Sequence, residues 1–169
     1  MKINKVMAVM SSALLLSVTC TKEKQGIALY EGYYSYKTSG SVEVEKTLIE
    51  SSEKSEDTLA LLAENGQMNI LKNGDDKLII TMNAIGGDVV VFDAEVIDNN
   101  LIISEFSRLV KIEDGSRTVS FNCKVSGSGK KYDNVIILDL NYSGSASTTL
   151  YNYTIKSSAV KCVAKVNEQ

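Results

Sequence analysis

Short turn signals recur along this chain and separate runs of about six to eleven residues that are rich in Val, Ile, Thr and Tyr. Asn and Gly tolerate a positive φ, so pairs of them favour tight hairpins. The chain contains no proline, which suits continuous strands, because proline cannot donate a hydrogen bond within a sheet. The pattern therefore predicts an antiparallel all-β domain. The predicted turns are Asn65-Gly66, Asn73-Gly74, 85–88, 98–100, 114–116, 126–129 and 143–145.

Most runs between these turns alternate apolar and polar residues, with the period of two that a half-buried strand requires. In the run 117–125, for example, Val119, Phe121 and Cys123 alternate with Ser120 and Asn122. The run 101–112 is predicted as one bent strand or two short ones, and the polar segment 50–57 as a solvated loop. The other predicted strands are 29–37, 42–49, 59–64, 77–83, 88–97, 117–125, 133–142 and 158–166.

Consecutive hairpins form a meander, and a long meander loses its exposed edges by closing into a barrel. We therefore expect an antiparallel up-and-down β-barrel of about 8–10 strands. A two-sheet β-sandwich is the alternative. No internal repeat or linker interrupts the chain, so one domain is predicted over 29–169.

The first twenty residues have the pattern of a secretory signal of the lipoprotein type. Two lysines precede an apolar stretch that ends just before Cys20. We expect a signal peptide over 1–19 and a tether over 20–28, with Cys20 acylated and holding the protein on a membrane. An ordinary secretory signal is the alternative. The expected location is the cell envelope, on either face of the outer membrane.

Composition excludes several classes of function. The net charge is −3, and no basic stripe is present, so nucleic-acid binding is not expected. The chain has no histidine, which excludes Ser-His-Asp and Cys-His catalysis and removes the commonest metal ligand. A pair of carboxylates could hydrolyse glycosides without histidine, but the sequence does not single out a pair. We expect no catalytic residue, no metal and no cofactor.

Two cysteines remain after Cys20. Cys123 and Cys162 both fall on the apolar faces of predicted strands. In an exported protein they could form a disulfide. The alternative is that both are free thiols that pack as small apolar groups. The sequence leaves both alternatives open.

Tyrosines form two clusters, Tyr30, Tyr34 and Tyr36 near the start of the domain and Tyr151 and Tyr153 near its end. The first and last strands of an up-and-down barrel are neighbours, so the clusters could form one aromatic surface. Such a surface would stack on sugars or line a pocket. The alternative is that these tyrosines are ordinary strand residues whose hydroxyls reach solvent.

The chain resembles the small lipocalin-like, or calycin-like, lipoproteins of the Bacteroidetes type. In the opening LYEGYY, Gly32 and Tyr34 stand where lipocalins place a glycine and an aromatic residue on their first strand, with tyrosine replacing the family's tryptophan. The run of short hairpins over 65–104 is also similar. The resemblance implies an up-and-down barrel, a small apolar ligand and no enzymatic activity.

Together these features predict a non-enzymatic envelope lipoprotein. It would bind a small hydrophobic or carbohydrate ligand, or serve as an accessory binding protein. The alternative is a structural or interaction protein of the envelope that has no small-molecule ligand.

Overall fold

The computed structural model describes residues 25–167, in which nine strands follow a short 3₁₀-helix, Gly26–Leu29. The predicted signal peptide and Cys20 lie outside the described residues. The helix overlaps the tether predicted over 20–28, and Ile27 is buried within it. Within the described part no helix is long and apolar enough to cross a membrane. The strands are β1 (Gly32–Leu48), β2 (Lys54–Leu61), β3 (Glu64–Lys72), β4 (Lys77–Ala84), β5 (Val89–Ile97), β6 (Asn100–Asp114), β7 (Arg117–Tyr132), β8 (Val135–Ser147) and β9 (Tyr151–Val166).

The strands form one antiparallel up-and-down sheet that closes on itself. Strands β3 to β8 each pair with the next strand in sequence, and β9 pairs with β1 over almost the whole length of both. The prediction of an all-β, up-and-down architecture is confirmed. A closed ring of this kind fits a barrel and equally a sandwich whose two sheets are joined at both edges.

Strand β1 has two successive neighbours on its other edge. Its first part, Gly32–Thr38, pairs with β3, and its second part, Ser41–Thr47, pairs with β2. Strand β2 also pairs with β6, through Ala60 and Leu61. The ring therefore contains eight strands at one end (β1 and β3 to β9) and six at the other (β1, β2 and β6 to β9). We call these the wide end and the narrow end.

Apolar side chains fill the interior. Strands alternate as predicted; on β8, for instance, Ile136, Leu138, Leu140 and Tyr142 are all buried. The buried residues form a single cluster to which the helix and every strand contribute. Each large apolar side chain that is fully buried stabilises the fold by roughly 1.5–3 kcal/mol.

Three predicted turns are wrong, because they lie inside strands. Asn65-Gly66 belongs to β3, 126–129 to β7 and 143–145 to β8. A Cβ on Gly66 would lie 2.0 Å from the Asn83 oxygen, and one on Gly127 would lie 2.3 Å from the Asp139 oxygen. Because glycine has no side chain, the neighbouring strand can approach the backbone closely at these positions.

Several predicted boundaries also change. The strands predicted over 29–37 and 42–49 are the single strand β1, and β2 begins within the predicted loop 50–57. The run 101–112 is one strand, β6, with a bulge between Ile103 and Phe106. The described residues therefore contain nine strands, where about ten were expected.

Candidate functional site

The wide end of the ring is covered by the chain that leads into β1. Tyr30 is fully buried there, and its hydroxyl donates to the backbone oxygen of Asn99 at 2.7 Å. The hydroxyl of Tyr34 donates to the backbone oxygen of Tyr30 at 2.7 Å, and Lys131 Nζ donates to that of Leu29 at 2.8 Å. Burial raises the pKa of Tyr34 to about 12. These contacts hold the helix across the wide end.

The narrow end holds a cluster of charged groups. Lys46 Nζ lies 2.8 Å from Asp57 Oδ2 and 2.7 Å from Asp114 Oδ1. The hydroxyl of Tyr153 donates to Asp114 Oδ2 at 2.8 Å. Burial opposes the charge on Asp114, but the hydrogen bonds from Lys46 and Tyr153 outweigh it and lower the pKa of Asp114.

Asp57 and Asp114 are close enough to suggest a pair of catalytic carboxylates. Lys46 lies between them and binds both. A glycosidase acid needs a raised pKa, whereas that of Asp114 is lowered. The narrow-end cluster therefore has the chemistry of a structural ion-pair network.

The structure separates the two tyrosine clusters. Strands β1 and β9 are neighbours, as expected, but they run antiparallel, with Tyr36 opposite Ala164 and Lys46 opposite Tyr153. Tyr30, Tyr34 and Tyr36 therefore lie towards the wide end, whereas Tyr151 and Tyr153 lie at the narrow end. Four of these five side chains are buried, and Tyr151 is half-buried. The predicted single aromatic surface is wrong.

A cleft opens in the wall of the ring where the wide part meets the narrow part. It is bounded by the junction between β2 and β3, the turn between β4 and β5, and the middle of β6. Its volume is about 170 Å³. We call it the wall cleft. Its lining comprises Thr38, 61–65, 84–88, 108–111 and Tyr142.

A partly buried ion pair forms the floor of the wall cleft. Arg108 Nη2 lies 2.5 Å from Glu64 Oε2, and only 11% of the Arg108 side chain is exposed. Glu64 Oε1 also accepts a hydrogen bond from the Tyr36 hydroxyl at 2.9 Å. Burial alone would lower the pKa of Arg108, but Glu64 outweighs burial and raises it. The Arg108 guanidinium therefore stays charged at neutral pH.

Three hydrogen-bonding groups of residues that line the wall cleft lack a partner within the described residues. Nε of Arg108 and Oγ1 of Thr38 are buried. The third is the hydroxyl of Tyr142, a residue only 5% exposed. Burial raises the pKa of Tyr142, so its hydroxyl keeps its proton. The lining contains two acidic residues, Glu64 and Asp88, and two basic ones, Arg108 and Lys111. A neutral group that accepts hydrogen bonds fits these donors best.

The bulge in β6 explains why sequence reasoning missed Arg108. Before the bulge the inward residues are Leu101 and Ile103. After it they are Phe106, Arg108, Val110 and Ile112. Uniform alternation from Leu101 would have turned Arg108 outwards. The signal was present in the sequence, because the apolar positions change from odd to even numbers within this strand.

Cys123 and Cys162 are free, buried thiols in the structure, the second of the two alternatives. Cys123 pairs with Gly144 and Cys162 with Leu138, six positions apart on β8. At about 3.3 Å a residue, this offset is far larger than the Cα separation of roughly 4–7 Å in a disulfide. Burial raises the pKa of each thiol to about 11.

No protein-family model matches this chain, and no curated protein matches it in sequence. The resemblance to lipocalin-like lipoproteins therefore stays a prediction.

Proposed function

We propose that this chain is a non-enzymatic binding protein of the cell envelope, and that the wall cleft is its binding site. One observation carries the proposal: three residues that line the wall cleft, Thr38, Arg108 and Tyr142, each have a hydrogen-bonding group without a partner within the described residues. A buried donor without a partner costs about 1–3 kcal/mol. A ligand that accepts a hydrogen bond would recover this free energy.

The size and charge of the wall cleft restrict the ligand. A volume of about 170 Å³ is below the roughly 300–1,000 Å³ of clefts that hold drug-sized molecules. The ligand would therefore be small, or would insert one group of a larger molecule. Leu61, Leu62 and Val110 provide apolar walls. A compact apolar group with a neutral oxygen is the expected ligand, rather than a sugar stacked on tyrosines.

The ion pair on the floor supports binding rather than catalysis. Glu64 is held by Arg108 and Tyr36 together. The thiols of Cys123 and Cys162 have raised pKa values, and a nucleophilic cysteine needs a lowered one. The chemistry of these residues suits recognition of an acceptor group.

The test is a titration of the ¹⁵N-labelled protein with hexanamide, and separately with hexanoate, followed by amide chemical shifts. Hexanamide should shift residues 61–65, 84–88 and 108–111, and it should bind more tightly than hexanoate. Tyr142→Phe removes one donor at nearly constant volume, and should weaken binding by about fivefold or more. Tyr132→Phe changes an exposed tyrosine outside the wall cleft and is the matched control.

The proposal is contradicted if hexanamide shifts other residues instead, or if both tyrosine variants bind as the unaltered protein does. Envelope attachment through Cys20 has its own test. Replacing Cys20→Ala should release the protein from the membrane fraction, and intact mass should show acyl chains only on the unaltered protein. An unacylated Cys20 would refute the anchor.

A second candidate function, an interaction protein of the envelope, is favoured by the surface around the wall cleft. Five large apolar residues are exposed there. They are Leu62, Ile85, Val89, Val91 and Leu109. Contiguous apolar surface of this kind marks sites of macromolecular contact.

A further inference from the structure

Strands β5 and β6 separate next to the wall cleft. They pair only from Ala94 to Ile97 and from Asn100 to Ile103. On the N-terminal side of Ala94, over 89–93, the edge of β5 that faces β6 has no strand partner within the described residues. The facing edge of β6 likewise has none over 104–110. Unpaired strand edges offer rows of backbone donors and acceptors.

A groove lies between these two edges. It has a volume of about 210 Å³ and is lined by 88–91 and 107–109. On the inner side, the rings of Phe92 and Phe106 stack with centroids 4.2 Å apart. This stack supplies an apolar floor close to the point where the strands part. We call this feature the β5–β6 groove.

The β5–β6 groove and the wall cleft are continuous, since Asp88, Arg108 and Leu109 line both. Val89 and Val91, two positions apart on β5, project outwards and are exposed. Apolar side chains at alternate positions along an unpaired edge match the side-chain spacing of an added strand.

We propose that the β5–β6 groove binds an extended, uncharged segment of a partner polypeptide, which adds to the unpaired edges as a strand. Its backbone would pair with β5 or β6, and its apolar side chains would cover Val89, Val91 and Leu109. One amide oxygen of the segment would extend into the wall cleft and accept a hydrogen bond from the Tyr142 hydroxyl. The proposal rests on the proposed function, because it names the partner of that same site.

Charge favours a neutral segment. The groove is lined by one acid, Asp88, and one base, Arg108, and Arg108 is already paired with Glu64. A carboxylate placed there would be repelled by Glu64. It would also lose its hydration, and no unpaired cation would be available to compensate for that loss. Peptide carbonyls and the amides of Asn and Gln accept hydrogen bonds without that cost.

The experiment measures amide hydrogen exchange in the mature protein. The probe is a pool of acetylated and amidated heptapeptides with Val, Ile, Thr, Asn or Gln at each position. Within 89–93 and 104–110, the amides that point into the β5–β6 groove should exchange fast in the free protein, whereas those that pair with β4 or β7 should already be protected. The fast amides should slow by about tenfold or more with the pool. A second pool with the same side chains, N-methylated at every backbone amide, has no N–H to donate along either edge and should give no protection.

Two variants of β5 provide the matched comparison. Val91→Arg lies on the groove, whereas Ile97→Arg lies at the paired end of the same strand, and the two native residues are equally exposed, at 53% and 52%. Val91→Arg should abolish peptide protection, and Ile97→Arg should leave it intact. Because Val91 does not line the wall cleft, both variants should still bind hexanamide.

The outcomes separate the two proposals. If hexanamide binds in the wall cleft but neither peptide pool protects the edges, strand addition is refuted and the proposed function stands. Equal binding of both pools without edge protection likewise refutes strand addition. Concentration-dependent edge protection without any peptide would identify a second copy of this chain as the occupant, and would overturn the partner proposed here. Absence of both hexanamide and peptide binding would refute both proposals.

Discussion

Replacing Arg108 with methionine should destabilise the protein strongly, because it leaves Glu64 without its cation. Methionine retains most of the aliphatic volume of arginine, so the loss measures charge more than packing. Removing one partner of a buried pair costs roughly 3–5 kcal/mol. Because the Glu64 side chain is 25% exposed, we expect the lower end, about 3 kcal/mol.

A loss of that size is a large part of the roughly 5–15 kcal/mol that stabilises a domain. It corresponds to a fall in Tm of roughly 10 °C for a domain of this length. The double variant Arg108→Met with Glu64→Met should recover most of the loss, because an apolar pair can replace a buried ion pair at little cost. A residual loss of about 1 kcal/mol should remain, since the Tyr36 hydroxyl loses its acceptor.

The assay is urea unfolding followed by circular dichroism, with all variants fitted to a common slope. Lys124→Met is the control. Lys124 pairs with Glu105 on the surface, with 64% and 58% of the side chains exposed, so its loss should cost less than about 1 kcal/mol. The reasoning is refuted if Arg108→Met costs no more than this control. It is also refuted if the double variant is as unstable as the two single losses added together.

Three further predictions concern groups outside the wall cleft. Unfolding without reductant should expose two thiols, Cys123 and Cys162, to Ellman's reagent. In the native protein, burial and the raised pKa of about 11 should make both thiols nearly unreactive toward the reagent. If both thiols stay unreactive after unfolding, they form a disulfide. The pKa of Asp114 is lowered from 3.8, so its stabilisation is complete at neutral pH and is lost as pH falls through the lowered value. The difference in unfolding free energy between the unaltered protein and Lys46→Met should therefore shrink below pH 3.8, and a constant difference in urea unfolding from pH 7 to pH 2.5 would contradict this assignment. Gly40→Ala should destabilise by about 2–4 kcal/mol, because φ is +150° and the new Cβ would lie 2.2 Å from the Ala159 oxygen; unchanged urea unfolding would show that β1 can shift there.

The fold was largely predictable because side-chain alternation is a local property. The inward faces of β5, β7, β8 and β9 follow directly from their sequences. Glycines were the main source of error. The same residue type permits a turn at Gly74 and close strand contact at Gly66 and Gly144. The distinction depends on the partner strand, which local sequence does not contain.

The site was not predictable in the same way, because its parts come from distant strands. Glu64 and Arg108 are 44 positions apart. They meet because the pairing of β2 with β6 ends at Leu61, just before β3 begins at Glu64. Tyr36 was singled out as a ligand-binding aromatic, whereas its hydroxyl binds Glu64. The alternation of apolar and polar residues predicts strands, but it does not predict where two neighbouring strands separate.

The position of the buried charges is itself an argument for a site. An ion pair in an apolar interior contributes little net stability, and packed apolar residues would serve as well or better. The bulge at 104–105 turns Arg108 inwards and ends the pairing of β6 with β5 near the same point. One irregularity therefore produces the inward guanidinium, the unpaired edges and the wall cleft together. Departures from good packing and pairing that coincide in one place are expected at functional sites. The narrow-end network shows the contrast, since Lys46 and Asp114 satisfy one another there, while Arg108 keeps a donor free.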